Sequence, residues 1–254
     1  MSRTMSSPVV VVTGAASGIG AATVTELVRR GARVLAADAD PTVERVAADA
    51  RGEVIAREVD VRDGAAVKTV IDEAVTQFGR LDAILNNAGI FGASAPAADY
   101  PDDIFRRVLE VNLWGVYFGM KHAIPHLRES GGGAIVNTAS TGALAAAPNN
   151  GPYVASKHAV LGLTRAAALE LAKEEIRVIA LCPGATDTPM LKEVIEGWSA
   201  KAPEEVQAVM ETITPTGRMA RPEEIAQVAA WLLLEAPAYL TGAPIPVDGA
   251  LTAQ

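Results

Sequence analysis

The stretch from Val9 to Gly20 restricts the fold more than any other. Four consecutive valines, Val9-Val10-Val11-Val12, run straight into Thr13-Gly14-Ala15-Ala16-Ser17-Gly18-Ile19-Gly20. A β-branched run without polar alternation is the pattern of a strand buried on both faces of a parallel sheet. The glycine spacing, G-x-x-x-G-x-G, calls for a tight turn with close backbone approach. Ala21 to Arg30, with apolar Ala22, Leu27 and Val28, then reads as a helix stopped by Gly31. Strand, glycine turn and helix form the first half of a βαβ unit. A helix N-terminus behind such a turn offers free N–H groups and the positive end of its dipole, which is what a pyrophosphate requires. The spacing differs from the general dinucleotide fingerprint G-x-G-x-x-G, and alone it is equally compatible with a mere tight connection.

The second strand, Arg33 to Ala37, ends at Asp38, twenty-four residues after Gly14, where an acid should meet a ribose. A carboxylate there accepts both adenosine ribose hydroxyls and repels a 2′-phosphate, and Ala16, Ala39 and Asp40 supply no arginine to offset it. Asp38 therefore favours NAD over NADP; as a plain helix cap before Pro41 it would carry no such meaning. Two further βα units follow, Val54 to Val59 with Gly64 to Phe78, and Leu81 to Leu85 with a long helical stretch. The alternation predicts an α/β fold, a doubly wound parallel sheet of about seven strands with helices on both faces. Asp60 and Val61 end the third strand and Asn86-Asn87-Ala88-Gly89 the fourth, both at the edge where such sheets bind ligands. No repeat or linker divides the chain, so residues 1–254 are expected to form one domain.

With a net charge of -8 and a pI of about 5.0, the chain is a poor match for nucleic acid, which wants clustered Lys and Arg. No apolar run approaches membrane-spanning length and Met1 to Ser7 lacks a signal-peptide layout, so a cytoplasmic protein is expected. The lone Cys182 and the scattered His122, His126 and His158 form no metal pattern, and no metal is expected. His122 and His126 share a helix face but read as surface or packing residues.

Candidate chemistry lies in the second half. Tyr153 and Lys157 are spaced i, i+4 on a predicted helix from Gly151 to Ala172, so a cation can stand beside a phenol. That arrangement makes a general acid/base of a tyrosine; the bland alternative is a core tyrosine with a solvated lysine. Asn112, in a predicted amphipathic helix from Pro101 to Arg128, is an amide among apolar residues that needs specific partners. Ser140 follows the strand Ala134 to Thr138, thirteen residues before Tyr153. The strand Ile176 to Leu181 opens into Cys182-Pro183-Gly184-Ala185-Thr186-Asp187-Thr188-Pro189-Met190, and residues 188 to 217 read as a substrate lid, or alternatively as a packed helical pair. A last helix, Pro222 to Leu234, precedes a stretch whose alternating Pro244 and Pro246 suit an edge strand.

Taken together, these residues resemble the short-chain dehydrogenase/reductase family from Val9 to Val247. The resemblance rests on Thr13-Gly14-x-x-x-Gly18-Ile19-Gly20, Asp60-Val61, Asn86-Asn87-Ala88-Gly89, Asn112, Ser140, Tyr153-x-x-x-Lys157, Pro183-Gly184 and Gly242-x-x-x-x-Val247-Asp248-Gly249. It implies a Rossmann-like fold, NAD as cofactor, a small-molecule substrate and a homotetramer built through the helices around Asn112 and Tyr153 and the last strand. Tyr153 would exchange the proton, Lys157 would lower its pKa and bind the nicotinamide ribose, Ser140 would hold the substrate oxygen, and Asn112 would hold a relay water. The cofactor would lie along Gly14, Ser17, Gly18, Ile19, Gly20, Asp38, Asp60, Val61, Asn87, Ala88, Gly89, Ile90, Tyr153, Lys157, Pro183, Gly184, Thr186 and Thr188. Two positions depart from the family pattern: Ile179 in place of a frequent asparagine, and Ala250 in place of a frequent second glycine.

The expected activity is NAD-dependent interconversion of a secondary alcohol and a ketone. The alternatives are a silent dinucleotide-binding regulator, or an epimerase or dehydratase on the same fold. Phe91, Ser140, Leu144, Tyr153, Met190 and Trp198 are the expected pocket residues, making an apolar site for an alicyclic, aromatic or aliphatic alcohol.

Overall fold

The computed structural model describes residues 7–197 and 203–253. Seven parallel strands form one sheet: β1 (Val9–Thr13), β2 (Arg33–Asp38), β3 (Val54–Glu58), β4 (Ala83–Asn86), β5 (Gly133–Thr138), β6 (Ile176–Pro183) and β7 (Pro244–Val247), in the order β3-β2-β1-β4-β5-β6-β7. The chain starts in the middle, winds outward to β3, then returns to β4 and winds the other way. The switch point between β1 and β4 opens a crevice at the carboxyl ends of both strands. All of β1 is buried, because each face is covered. Val11, Leu35, Ile84 and Ile135 point into a core shared with α3 (Gly64–Phe78), α5 (Gly115–Glu129) and α6 (Gly151–Leu171). Val10, Val12, Val34 and Leu85 point into the opposite core, under α1 (Gly18–Arg29) and α9 (Pro222–Leu234).

Pro244 and Pro246 do lie on an edge strand, β7, where missing N–H groups break no ladder on the open side. Two features differ from the sequence expectations. A short helix, α2 (Val43–Asp49), follows β2; seven residues with one buried side chain carry too little periodicity to announce it. The stretch expected as one helix is instead α4 (Asp102–Leu109), a π-helical turn at Glu110–Trp114 and then α5, which runs on through Pro125. Residues 188 to 217, read as a lid or a helical pair, contain two helices, α7 (Pro189–Gly197) and α8 (Pro203–Ile213).

His126 bonds Asp72 on α3 at 2.8 Å and so ties α5 to α3, while His122 stacks on Phe118 one turn away on α5 itself. Ala250 sits at φ 70°, which explains the glycine so often found there. Left-handed backbone costs an L-residue about 1–2 kcal/mol. Ala250→Gly is expected to stabilise the fold by roughly 0.5–1 kcal/mol after the entropy of glycine is subtracted. The check is a higher denaturant midpoint at unchanged slope.

Candidate active site

The glycine turn is shaped by close contact. A Cβ on Gly14, at φ 67°, would stand 2.7 Å from Ala88 Cα, and one on Gly20 would stand 1.8 Å from the Gly14 carbonyl oxygen. Ser17 precedes α1 in extended conformation without capping it, so the first N–H groups of the helix are open to a phosphate. Thr188 lies across the turn, its Cγ2 3.0 Å from where a Gly18 Cβ would be; its hydroxyl accepts from Leu191 N–H at 3.3 Å and so caps α7.

Asp38 sits at the end of β2, as expected. Its Oδ2 accepts from Ala16 N–H and its Oδ1 from Asp40 N–H, both at 2.9 Å, so the carboxylate also braces the glycine turn. Asp60 is held by Arg62, whose Nε lies 2.8 Å from Oδ2, and this hydrogen bond keeps its carboxyl below the usual range despite partial burial. Val61 is buried against α5, 2.8 Å from where a Gly115 Cβ would stand.

Asn87 follows β4 and stands against the glycine turn, its Nδ2 2.9 Å from where a Gly14 Cβ would be. Its Nδ2 donates to the carbonyls of Thr13 and Gly14 at 3.2 and 3.1 Å, and its Oδ1 accepts from the Thr138 hydroxyl at 3.3 Å. The side chain stitches β1, β5 and the segment after β4 together. Thr13 completes the stitch: its hydroxyl accepts from Asn87 N–H at 3.0 Å and Ala88 N–H at 3.2 Å. At the end of β6, Gly184 N–H donates to Val247 O at 3.1 Å, and a Cβ there would stand 2.8 Å from Asp248 Cα. The Thr186 hydroxyl is turned inward to Gly184 O at 3.0 Å.

Asn112 is fully buried in the π-helical turn. Its Oδ1 accepts from Ile90 N–H and its Nδ2 donates to Ile90 O, both at 2.8 Å, while the second N–H reaches Ser156 Oγ at 3.1 Å. Both amide protons are spent, and the side chain clamps the loop after β4. Ser156, which the sequence reading passed over, hands the clamp on to α6 by donating to Tyr153 O at 2.7 Å. Its signal was its place between Tyr153 and Lys157 on a helix face that had to be buried.

Four expected catalytic residues meet here. Lys157 is 4% exposed and donates to Thr138 O at 2.9 Å; its Nζ is 5.6 Å from the Tyr153 ring centroid. Burial pulls its pKa down to about 8. A Cβ on Gly89 would approach Lys157 Nζ at 3.5 Å, so glycine leaves the ammonium its space. Ser140, extended after β5, accepts from Gly142 N–H at 3.0 Å and is hydrogen-bonded to the Tyr153 phenol. Burial raises the phenol pKa and the Ser140 bond opposes it. Ser140 is thus the neighbour that favours the ionised phenol here, while the Lys157 ammonium, on the same helix face, donates to the Thr138 carbonyl.

Of the expected pocket residues, Phe91 packs on Tyr153 with ring centroids 4.8 Å apart, Leu144 and Met190 are half-buried, and Trp198 lies outside the described residues. No helix among the described residues is long and apolar enough to cross a membrane.

A family model described as Enoyl-(Acyl carrier protein) reductase matches residues 14–252. The chain is 40% identical over 251 residues to the 2,5-dichloro-2,5-cyclohexadiene-1,4-diol dehydrogenase of Sphingobium indicum, covering 98% of each chain. It is also 40% identical to the cis-4-hydroxycyclohexanecarboxylate dehydrogenase of Sinomonas cyclohexanicum, over 100% of both. The crystal structure of levodione reductase superimposes with a TM-score of 0.94 at 34% identity, covering 97% of this chain and 98% of that one.

Proposed function

Because the chain belongs to the short-chain dehydrogenase/reductase family, we propose that it is an NAD-dependent dehydrogenase acting on a secondary alcohol carried by a six-membered carbon ring. The coarser part of that statement is secure: it is an oxidoreductase interconverting secondary alcohols and ketones, and its cofactor is a nicotinamide dinucleotide. The ring is taken from the names of two 40%-identical dehydrogenases, one acting on a cyclohexadienediol and the other on a hydroxycyclohexanecarboxylate. The choice of NAD rests on Asp38, whose carboxylate stands where the adenosine ribose is expected and would repel a 2′-phosphate.

The single observation that carries the mechanism is the meeting of Tyr153, Ser140 and Lys157 at the carboxyl ends of β4 and β5. The glycine turn, the open N-terminus of α1 and Asp38 fit a dinucleotide. Bound there, a nicotinamide dinucleotide would supply the hydride acceptor for oxidation and the hydride donor for reduction. Ser140 orients the substrate oxygen. Tyr153 takes the hydroxyl proton during oxidation and gives it back during reduction. The phenol needs a counter-charge to ionise at its buried position, and Lys157 is the cation within reach. Asn112, through Ile90 and Ser156, keeps the β4 loop and the first turn of α6 in register.

A neutral ring suits the site. Lys192, the cation of α7, is engaged with Asp187 at 3.2 Å. As a cytoplasmic homotetramer the chain would cover the exposed Phe105, Trp114 and Tyr117.

The test follows NADH absorbance with cyclohexanol and substituted cyclohexanols, and with the matching ketones in reverse. One NADH per ketone formed is the expected stoichiometry. Substrate conversion without net NADH would point instead to an epimerase or dehydratase, and cofactor binding without conversion to a regulator.

A further inference from the structure

Phe91 lies in the segment after β4, and that segment is tied down on both sides of it. Ile90 is gripped at its N–H and its carbonyl by Asn112. Gly92 turns at φ 87°, and a Cβ there would stand 2.6 Å from both Tyr100 Oη and Val108 Cγ2. Ala93 N–H donates to Tyr100 Oη at 2.9 Å, and Ala95 N–H to Asn149 O at 2.9 Å, which fastens this loop to the one leading into α6. Between these ties the Phe91 ring lies 4.8 Å from the Tyr153 ring at an interplanar angle of 35°, and Phe91 remains only half-buried. That contact sets the Phe91 ring beside the residue whose phenol is proposed to meet the substrate oxygen.

A rigid flat wall at that position discriminates by shape. A six-membered carbocycle can lay a whole face against it, and dispersion summed over that face is substantial although each atom pair contributes little. The ring also has few torsions to immobilise, whereas an open chain must freeze several to present the same area. A mobile wall would lose this advantage by yielding to either shape.

We propose that Phe91 is the specificity-determining residue of the site, a fixed wall that selects ring-shaped apolar secondary alcohols over open-chain alcohols of the same carbon number. The proposal rests on the alcohol dehydrogenase reading above. It is tested with cyclohexanol and hexan-2-ol, comparing kcat/KM for each with NAD in the wild type, Phe91→Ala and Phe91→Tyr. The wild type should prefer cyclohexanol. In Phe91→Ala the cyclohexanol to hexan-2-ol ratio should fall about tenfold, chiefly through the KM for cyclohexanol, while Phe91→Tyr keeps the ratio. Equal losses on both alcohols would overturn the proposal, since a merely structural role lowers both together. If Phe91→Ala does not fold, Phe91→Leu replaces it, with an expected fall in the ratio of about threefold, and an unchanged ratio overturns the idea. A wild type turning over both alcohols without ring preference refutes the role of Phe91 alone. A wild type turning over neither refutes the ring-alcohol reading on which the proposal rests.

Discussion

Replacing Tyr153 by phenylalanine is expected to lower kcat by about 10³-fold while changing the NAD dissociation constant by less than about threefold. The substitution removes only the hydroxyl that bonds Ser140. The ring remains, and with it the packing on Phe91 at 4.8 Å. Ser156 still donates to the backbone carbonyl of residue 153, so the clamp from Asn112 to α6 survives. Stopped-flow or steady-state absorbance gives the rate, and quenching of protein fluorescence by NAD gives the affinity. Turnover within tenfold of wild type would rule out a phenol as the proton carrier. A parallel loss of cofactor binding would show that the hydroxyl holds structure instead of moving a proton.

The second large effect concerns cofactor choice. In kcat/KM the wild type is expected to favour NADH over NADPH by about 100-fold, because a carboxylate facing a 2′-phosphate opposes binding by a few kcal/mol even at the high effective dielectric of a surface crevice. In Asp38→Ala the ratio should collapse toward about one, through a loss with NADH and a gain with NADPH. The loss with NADH has two sources: the two ribose hydrogen bonds expected of Asp38, and the brace from Asp38 to Ala16 N–H that shapes the glycine turn. Asp38→Asn can still accept from Ala16 while removing the charge, so it should relax the discrimination against NADPH with a smaller loss of NADH activity. A wild type that prefers NADPH would refute the role given to Asp38.

Much of the fold and the site was legible along the chain. The valine run, the glycine turn and the acid at the end of the next strand are local signals, and they landed on β1, the start of α1 and the end of β2. The alternating prolines identified an edge strand because a missing N–H is an intrinsic property of the residue. What was illegible was either too short or non-local. The α2 helix buries one residue, and the π-helical turn around Asn112 is a five-residue irregularity in a helix that looks continuous in its hydrophobic pattern.

The sequence by itself determined which chemical groups this protein owns and at which ends of which strands they stand: a phenol and an ammonium on one helix face, a serine after β5, a carboxylate after β2. Local backbone preference and periodicity suffice for that. Tertiary structure alone decided how each buried polar group is satisfied. Asn112 grips Ile90 twenty-two residues away, Asn87 reaches Thr13 across seventy-four, and Lys157 turns to the Thr138 carbonyl nineteen residues back. The same packing set the Phe91 ring on the catalytic phenol. A buried donor or acceptor must find a partner, and several were available in the sequence for each of these groups. Which one it takes depends on distances that exist only once the sheet has closed and the helices have docked on it.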